Sequence, residues 1–161
     1  MLARTHILFA LLSALWYLKF IAGISISVFS LHQLSSVVIF IVIVLVATLV
    51  PDLDETTSTL GRRFKPVSMV LKFFLGHRGV WHSVWIPLLF YVLLSQYTPI
   101  YAMAIVVGYC AHLIADSLTL EGINFLYPLQ FRIQGFIKTG SLLEQVFALL
   151  CVGGIMYILF L

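Results

Sequence analysis

The sequence predicts an all-α membrane protein, a polytopic bundle of about five transmembrane helices with one short helix at the membrane surface. Composition is the first reason, because 62% of the residues are hydrophobic and only 9% are charged, with a mean hydropathy of +1.13. A soluble domain is closer to half apolar and a quarter charged. Length is the second reason, since 161 residues suffice for a single integral-membrane domain covering residues 1–161.

The apolar runs that predict spans are separated by short polar segments. A run of about 17 to 25 residues with few charges is typical of a transmembrane helix. Such runs lie at Ile7–Phe29, Leu34–Val50, Val84–Ser95, Ile100–Leu118 and Leu142–Leu161. The third is short, although Val80 and Trp81 extend it by a turn. The first follows Arg4 as a signal peptide would, but it continues past Lys19 without a convincing small-residue cleavage site, so we expect a retained helix.

The basic residues lie almost entirely in one set of loops. Eight of the nine are Arg4, Arg62, Arg63, Lys65, Lys72, Arg78, Arg132 and Lys138. The opposite loops, Ser30–Gln33 and Gln96–Pro99, contain no lysine or arginine. This bias predicts an inner-membrane protein with a cytoplasmic N-terminus and a C-terminus on the far side. A net charge of +3 is small and lies mostly in loops, which argues against nucleic acid as a partner.

Two segments have two interpretations each. Lys19 lies deep in the first span, where an ionisable group is usually functional or paired within the bundle. Alternatively, its side chain extends to the far interface beside Trp16 and Tyr17. In the long Pro51–Gly79 loop, Val67–Leu75 is either a helix on the membrane surface or a segment that packs against the bundle.

Nearly all acids and histidines lie at the predicted cytoplasmic ends of the spans. His112 and Asp116 are spaced i, i+4, so that both side chains share one helix face. Imidazole combined with carboxylate suits zinc, manganese or iron better than calcium. The pattern predicts a site for one or more divalent ions, most favourably zinc. The candidate ligands are His6, Asp52, Asp54, His77, His82, His112 and Asp116.

Each of these residues, taken alone, has a structural interpretation. His6 fits an interfacial histidine, Asp52 and Asp54 fit solvated acids, and a His112–Asp116 pair fits a hydrogen bond between helices. Ser83 follows a histidine as a nucleophile would, but adjacent side chains diverge on a helix and no G-x-S-x-G surrounds it. Their convergence on one membrane face favours a site.

Five short motifs resemble a known family. TH at 5–6, PDLD at 51–54, HRGVWHS at 77–83, AHLIADSLTLEG at 111–122 and KTGSLLE at 138–144 stand in the order found in the membrane-bound metal-dependent hydrolases. The enterobacterial members of that family are regulated by LexA. The sequence departs from it at Trp81, where many relatives have a small residue. More distantly, the order of ligands is similar to that in the zinc-dependent phospholipase C and P1 nuclease superfamily.

The resemblance implies metal-assisted hydrolysis, in which ions activate water to attack a phosphoester of a membrane lipid or lipid-linked substrate. Arg78 would stabilise the developing negative charge, and Glu55 or Glu144 would carry the proton. The alternatives are a metal-ion transporter and a non-catalytic protein whose metal joins helices. A transporter needs ionisable groups in both halves of the membrane, and the far half has only Lys19 and His32. A structural zinc site needs about four ligands, fewer than the sequence offers.

Overall fold

A computed structural model describes residues 1–24, 31–75, 79–129 and 131–161. The described chain is mostly helical and has almost no sheet, which confirms the all-α class. Its helices are α1 (Ala3–Trp16), α2 (Leu31–Leu49), α3 (Thr59–Arg63), α4 (Lys65–Leu75), α5 (Trp85–Leu94), α6 (Pro99–Ser117) and α7 (Leu142–Phe160). A π-helical turn, Tyr17–Ile21, continues α1, and 3₁₀ turns occupy Pro51–Asp54 and Val80–His82. Two short strands, β1 (Ile123–Asn124) and β2 (Arg132–Ile133), form an antiparallel pair.

Four helical segments of the described chain are long and apolar enough to cross a membrane. They are Ala3–Ile21, Gln33–Asp54, Pro99–Ser117 and Leu142–Phe160. The remaining predicted span, Val84–Ser95, contains only the ten-residue helix α5. At 1.5 Å per residue α5 is about 15 Å long, half of a typical hydrocarbon core. It begins late because the residues before it form a 3₁₀ turn and the Val84 amide donates to the Phe125 carbonyl oxygen.

The core of the bundle forms where α1, α2 and α6 meet. Small residues let the helices approach closely, as is common between membrane helices. Gly108 of α6 is the clearest case, because a Cβ atom there would overlap the carbonyl oxygen of Val44 on α2. Ala10 and Ala14 of α1 are fully buried in the same cluster. This close approach brings the ends of α2 and α6 together.

Helices α1 and α7 run side by side in the same direction. At their beginnings the Leu2 amide donates to the Glu144 carboxylate. At their other ends Lys19 Nζ donates to the carbonyl oxygen of Ile158, at 3.0 Å. That carbonyl is among the last four of α7, which have no partner within the helix. Lys19 is therefore paired within the bundle, one of the two interpretations of the sequence.

The first turns of α1, α5 and α7 and the last turns of α2 and α6 meet at one end of the bundle, which we call the site end. The segment after α6 folds over this end instead of forming an irregular loop. Thr119 bridges to Ile137, and the Ile137 amide donates to the Leu118 carbonyl oxygen. The sequence did not predict this small β-structured cover.

Helix α4 agrees with the predicted short helix at Val67–Leu75. Its Ser68 is buried, and the helix packs against the Pro51–Asp54 turn. Its opposite face is apolar and exposed at Val67, Val70 and Phe73, with Phe73 83% exposed. The helix thus has both of the features considered for it, a packed face and an apolar outer face typical of helices at a membrane surface.

Candidate metal centre

Two histidines at the site end are held in the same way by backbone carbonyl groups. His6 Nδ1 lies 3.2 Å from the carbonyl oxygen of Leu2, and His112 Nδ1 lies 2.7 Å from that of Thr48. A carbonyl oxygen only accepts, so in both rings Nδ1 carries the hydrogen and donates it. This leaves Nε2 of each ring to face the interior of the site. The two rings stack with centroids 4.2 Å apart.

A third histidine is anchored by a carboxylate. His82 Nδ1 lies 2.9 Å from Oδ2 of Asp54, and both side chains are buried. An imidazole that donates Nδ1–H to a carboxylate presents Nε2 on the opposite side of the ring. Histidines that bind metal ions are usually held by such a partner, which sets both the tautomer and the ring orientation.

The three Nε2 atoms converge on one carboxylate, that of Asp116. His6 Nε2 is 3.2 Å from Oδ1, while the Nε2 atoms of His112 and His82 are 3.7 Å and 4.0 Å from Oδ2. The N-terminal ammonium group of Met1 also lies 3.2 Å from Oδ1. Side chains from three parts of the chain thus direct their nitrogen atoms at a buried acid on α6.

In the described part of the chain, the candidate ligand atoms form two overlapping groups, and the atoms of each group lie within 4.8 Å of one another. One group is His6, His112 and Asp116, and the other is Asp52, His82 and His112. Because His112 belongs to both, the groups lie side by side. Asp52 is 29% exposed at its side chain and its Oδ1 lies 3.9 Å from His112 Nε2, which places it at the open rim of the site.

The donor atoms fit a divalent cation. His112 Nε2 is buried and has no hydrogen-bond partner, although burying an unsatisfied polar atom costs about 1–3 kcal/mol. His6 Nε2 faces a carboxylate oxygen while its Nδ1 donates elsewhere, so a cation, either a proton or a metal ion, must separate nitrogen from oxygen. Imidazole and carboxylate together suit zinc, manganese or iron.

The PDLD turn separates its two acids. Pro51 ends α2 and opens the 3₁₀ turn. Within that turn Asp52 lies at the rim of the site, whereas Asp54 is fully buried behind His82. The sequence predicted Asp54 as a ligand. Among the described residues it belongs to neither ligand group and has the position of an outer partner of His82.

The two predicted proton carriers lie outside the cluster. Glu55 faces Lys72, whose Nζ is 3.3 Å from both carboxylate oxygens, and it also accepts from Thr57. Glu144 accepts from the amides of Leu2 and Gly140, each at 2.6 Å. These contacts give both carboxylates structural partners, and neither carboxylate belongs to the ligand groups found among the described residues.

His77 and Arg78, a predicted ligand and the predicted anion clamp, lie outside the described residues. Their neighbour Trp81 is described, and its Nε1 donates to the Val50 carbonyl oxygen at 3.0 Å. The tryptophan at which the sequence departs from the resembled family thus ties the turn containing His82 to the end of α2.

Sequence reasoning missed the carbonyl groups of Leu2 and Thr48. Any residue type supplies a backbone acceptor, so no pattern of side chains marks these two positions. Leu2 precedes His6 by four residues, so helical spacing could have indicated that contact, but Thr48 is 64 residues from His112 and no local spacing relates the two.

Fold and site together define a class: a helical integral membrane protein with a buried cluster of histidine and aspartate side chains at one end. The comparisons agree with this class. The chain belongs to the YdjM inner membrane protein family, which matches residues 1–160. No solved structure shows a significant match.

The chain is similar to two curated relatives. The chain is 35% identical over 105 residues to the "uncharacterized protein YvsG" of Bacillus subtilis (strain 168), covering 63% of this chain and 66% of YvsG. It is 35% identical over 91 residues to the inner membrane protein YdjM of Escherichia coli (strain K12), covering 52% of this chain and 46% of YdjM. The matched regions thus span about half to two thirds of these relatives, whose names state no activity.

Proposed function

We propose that this protein is a membrane-embedded, metal-dependent hydrolase that cleaves a phosphoester of a lipid or lipid-linked substrate at the cytoplasmic face of the membrane. The observation that carries the proposal is the convergence of three histidine Nε2 atoms on Asp116, with each Nδ1 anchored from behind. A hydrogen-bonded helix pair would need one histidine and one acid. Three oriented histidines around one buried acid support a metal site rather than a single hydrogen-bonded pair.

The open rim favours catalysis over a purely structural metal. Structural zinc sites are closed by four ligands, whereas catalytic sites keep a position for water or substrate. Here His6, His82, His112 and Asp116 are buried and Asp52 is partly exposed. These residues would hold a divalent ion, which would supply Lewis-acid activation of water and of a phosphoryl oxygen.

Asp52 is the residue best placed to move a proton. Glu55 and Glu144, the carriers expected from the sequence, have their carboxylates engaged elsewhere. Asp52 directs Oδ1 toward His112 and lies on the open side of the cluster, so its Oδ2 can accept a proton from an attacking water. His6 and His112 keep their Nδ1 hydrogens bound to carbonyl groups and hold the geometry.

The position of the cluster supports a substrate in the membrane. The site end carries the loops that contain most of the basic residues, which predicts a cytoplasmic face at headgroup level. Beside the Pro51–Asp54 turn, α4 presents Val67, Val70 and Phe73 outward. An apolar face of this kind is typical of a helix in the interfacial layer. A lipid headgroup at that depth would lie beside Asp52.

The proposal is tested by metal analysis of the purified protein, followed by a hydrolysis screen against phospholipids and phosphodiesters. We expect bound zinc, manganese or iron, activity that a chelator abolishes, and recovery on adding the metal back. His112→Ala should abolish activity, whereas His32→Ala, at the opposite end of α2, should retain it. Metal-replete protein that hydrolyses no substrate but moves ions into liposomes would identify a transporter. Bound metal with neither activity would identify a structural site.

A further inference from the structure

A groove separate from the metal centre lies between α1 and α7. Its volume is about 470 Å³, and both helices contribute to it from their first turn inward. Thr5 lines this groove, whereas the next residue, His6, faces the metal centre. The first turn of α1 therefore separates the two sites, and neither Asp116 nor any of the three clustered histidines lines the groove.

The lining of the groove changes from polar to apolar with depth. At the site end it is formed by Arg4, Ser141 and Gln145, and deeper in the bundle by Leu8, Leu149 and Val152. Eleven residues separate Ser141 from Val152, which is about 17 Å along a helix. Half of a bilayer's hydrocarbon core is about 15 Å thick. The groove thus has the length and the polarity gradient of one lipid leaflet.

The lining of the groove carries one exposed positive charge and one buried negative charge. Two ionisable side chains line the groove, Arg4 and Glu144. Glu144 is buried and accepts hydrogen bonds from the amides of Leu2 and Gly140. Arg4 is exposed and has no ion-pair partner among the described residues. An anion at the polar end would therefore meet a free guanidinium group, whose planar fork matches phosphate oxygens.

We propose that this groove binds an anionic glycerophospholipid, with its phosphate on Arg4 and one acyl chain along Leu8, Leu149 and Val152. A zwitterionic lipid contains its own cation, which already balances its phosphate. An anionic lipid such as phosphatidylglycerol has no such cation, so Arg4 contributes an attraction that discriminates between the two. The site is distinct from the proposed catalytic centre, and lipid binding there requires neither bound metal nor activity.

The test measures lipid retained by the full-length protein in native mass spectrometry, after exchange from mixed micelles of phosphatidylglycerol and phosphatidylcholine. We expect wild-type protein to prefer phosphatidylglycerol. Arg4→Gln should reduce that preference about fivefold, the factor expected for one basic contact at an anionic surface. Arg63→Gln, which removes an exposed arginine outside the groove, should leave the preference unchanged.

A second pair of variants tests the acyl-chain part. Ala148 lines the groove, so Ala148→Phe should fill it and lower retention of both lipids. Leu150→Phe changes an exposed position of α7 outside the groove and should retain both. Helicity and metal content of every variant show that the bundle is intact. An unchanged preference in Arg4→Gln, an equal loss in Arg63→Gln, or full retention in Ala148→Phe would each overturn the proposal.

Discussion

His112 Nε2 lies 3.7 Å from Oδ2 of Asp116, one helical turn further along α6. The other ring nitrogen donates to the Thr48 carbonyl oxygen at 2.7 Å, so the imidazole cannot rotate without losing a buried hydrogen bond. The buried Nε2 has no hydrogen-bond partner. A histidine fixed in this way is prepared for a cation that also contacts Asp116.

Metal content should depend on this pair. His112→Ala removes a nitrogen shared by both ligand groups, and Asp116→Asn removes the charge on which three histidines converge. We expect either change to reduce bound metal to a small fraction of the wild-type value, measured by elemental analysis of the protein in detergent. His32→Ala serves as the histidine control. Wild-type metal content in both site variants would assign the pair to a hydrogen bond between helices.

Asp54 should affect the affinity for metal without being a ligand. Asp54→Asn retains an oxygen that can accept from His82 Nδ1 but removes the negative charge behind the ring. Loss of such an outer partner typically weakens metal binding by about 10- to 100-fold. The measurement is competition with a chelator of known affinity. Glu55→Gln is the control, because Glu55 is next to Asp54 in the chain but its carboxylate faces Lys72. This change should leave the affinity for metal unchanged. A complete loss of metal in Asp54→Asn would instead make Asp54 a ligand.

Glu144 should be required for stability rather than for chemistry. Its carboxylate accepts from two backbone amides and joins the beginnings of α1 and α7. Hydrogen bonds to a charged group contribute about 1.5–3 kcal/mol each, so Glu144→Gln should lower the thermal midpoint followed by circular dichroism. Gln145→Ala, at the neighbouring exposed position, should change it little. If Glu144→Gln melts like the wild type but loses hydrolysis, the carboxylate is a proton carrier, as the sequence first suggested.

Gly108 should be required for the contact between α2 and α6. A methyl group there overlaps the Val44 carbonyl oxygen, so Gly108→Ala should destabilise the bundle by about 1–3 kcal/mol, the usual cost of overpacking. Gly153 is the matched control, because nothing lies within 4 Å of a Cβ atom built there. Gly153→Ala should be neutral or slightly stabilising, since alanine favours the helix. Equal thermal midpoints of unfolding for the two variants would contradict the close approach of α2 and α6.

The two ends of the chain should lie on opposite sides of the membrane. In the structure α1 begins at the site end, next to the beginning of α7, whose last turn contacts Lys19 at the other end of the bundle. If the basic loops are cytoplasmic, the C-terminus lies on the far side of the membrane. Alkaline phosphatase fused after Leu161 should then be active, and green fluorescent protein fused there should not fluoresce. Alkaline phosphatase and green fluorescent protein fusions give opposite signals for the two orientations. A fluorescent C-terminal fusion would place the C-terminus in the cytoplasm and contradict this prediction.

The pattern of apolar and polar residues was sufficient to predict the helices, most of their bounds and five of the residues that cluster at the site end: His6, Asp52, His82, His112 and Asp116. Hydropathy predicted four spans that the structure confirms, because any buried helix in lipid must be long and apolar. The i, i+4 spacing of His112 and Asp116 placed both on one face by helical geometry alone. Hydropathy showed that the run at Val84–Ser95 is short, but the expected extension through Val80 and Trp81 was wrong, because Val80–His82 form a separate 3₁₀ turn.

The sequence by itself determined which chemical groups are present and at which helix ends they lie. Only the tertiary structure decided which acids face the histidines. All four candidates carry a carboxylate and differ only in their surroundings: Asp52, Asp54, Glu55 and Glu144. Asp54 lies behind His82, Glu55 faces Lys72 and Glu144 binds backbone amides. The contacts that orient His6 and His112 come from carbonyl groups, which every residue possesses. Packing between distant parts of the chain decides which of several identical groups contacts a histidine, and local sequence patterns do not specify these long-range contacts.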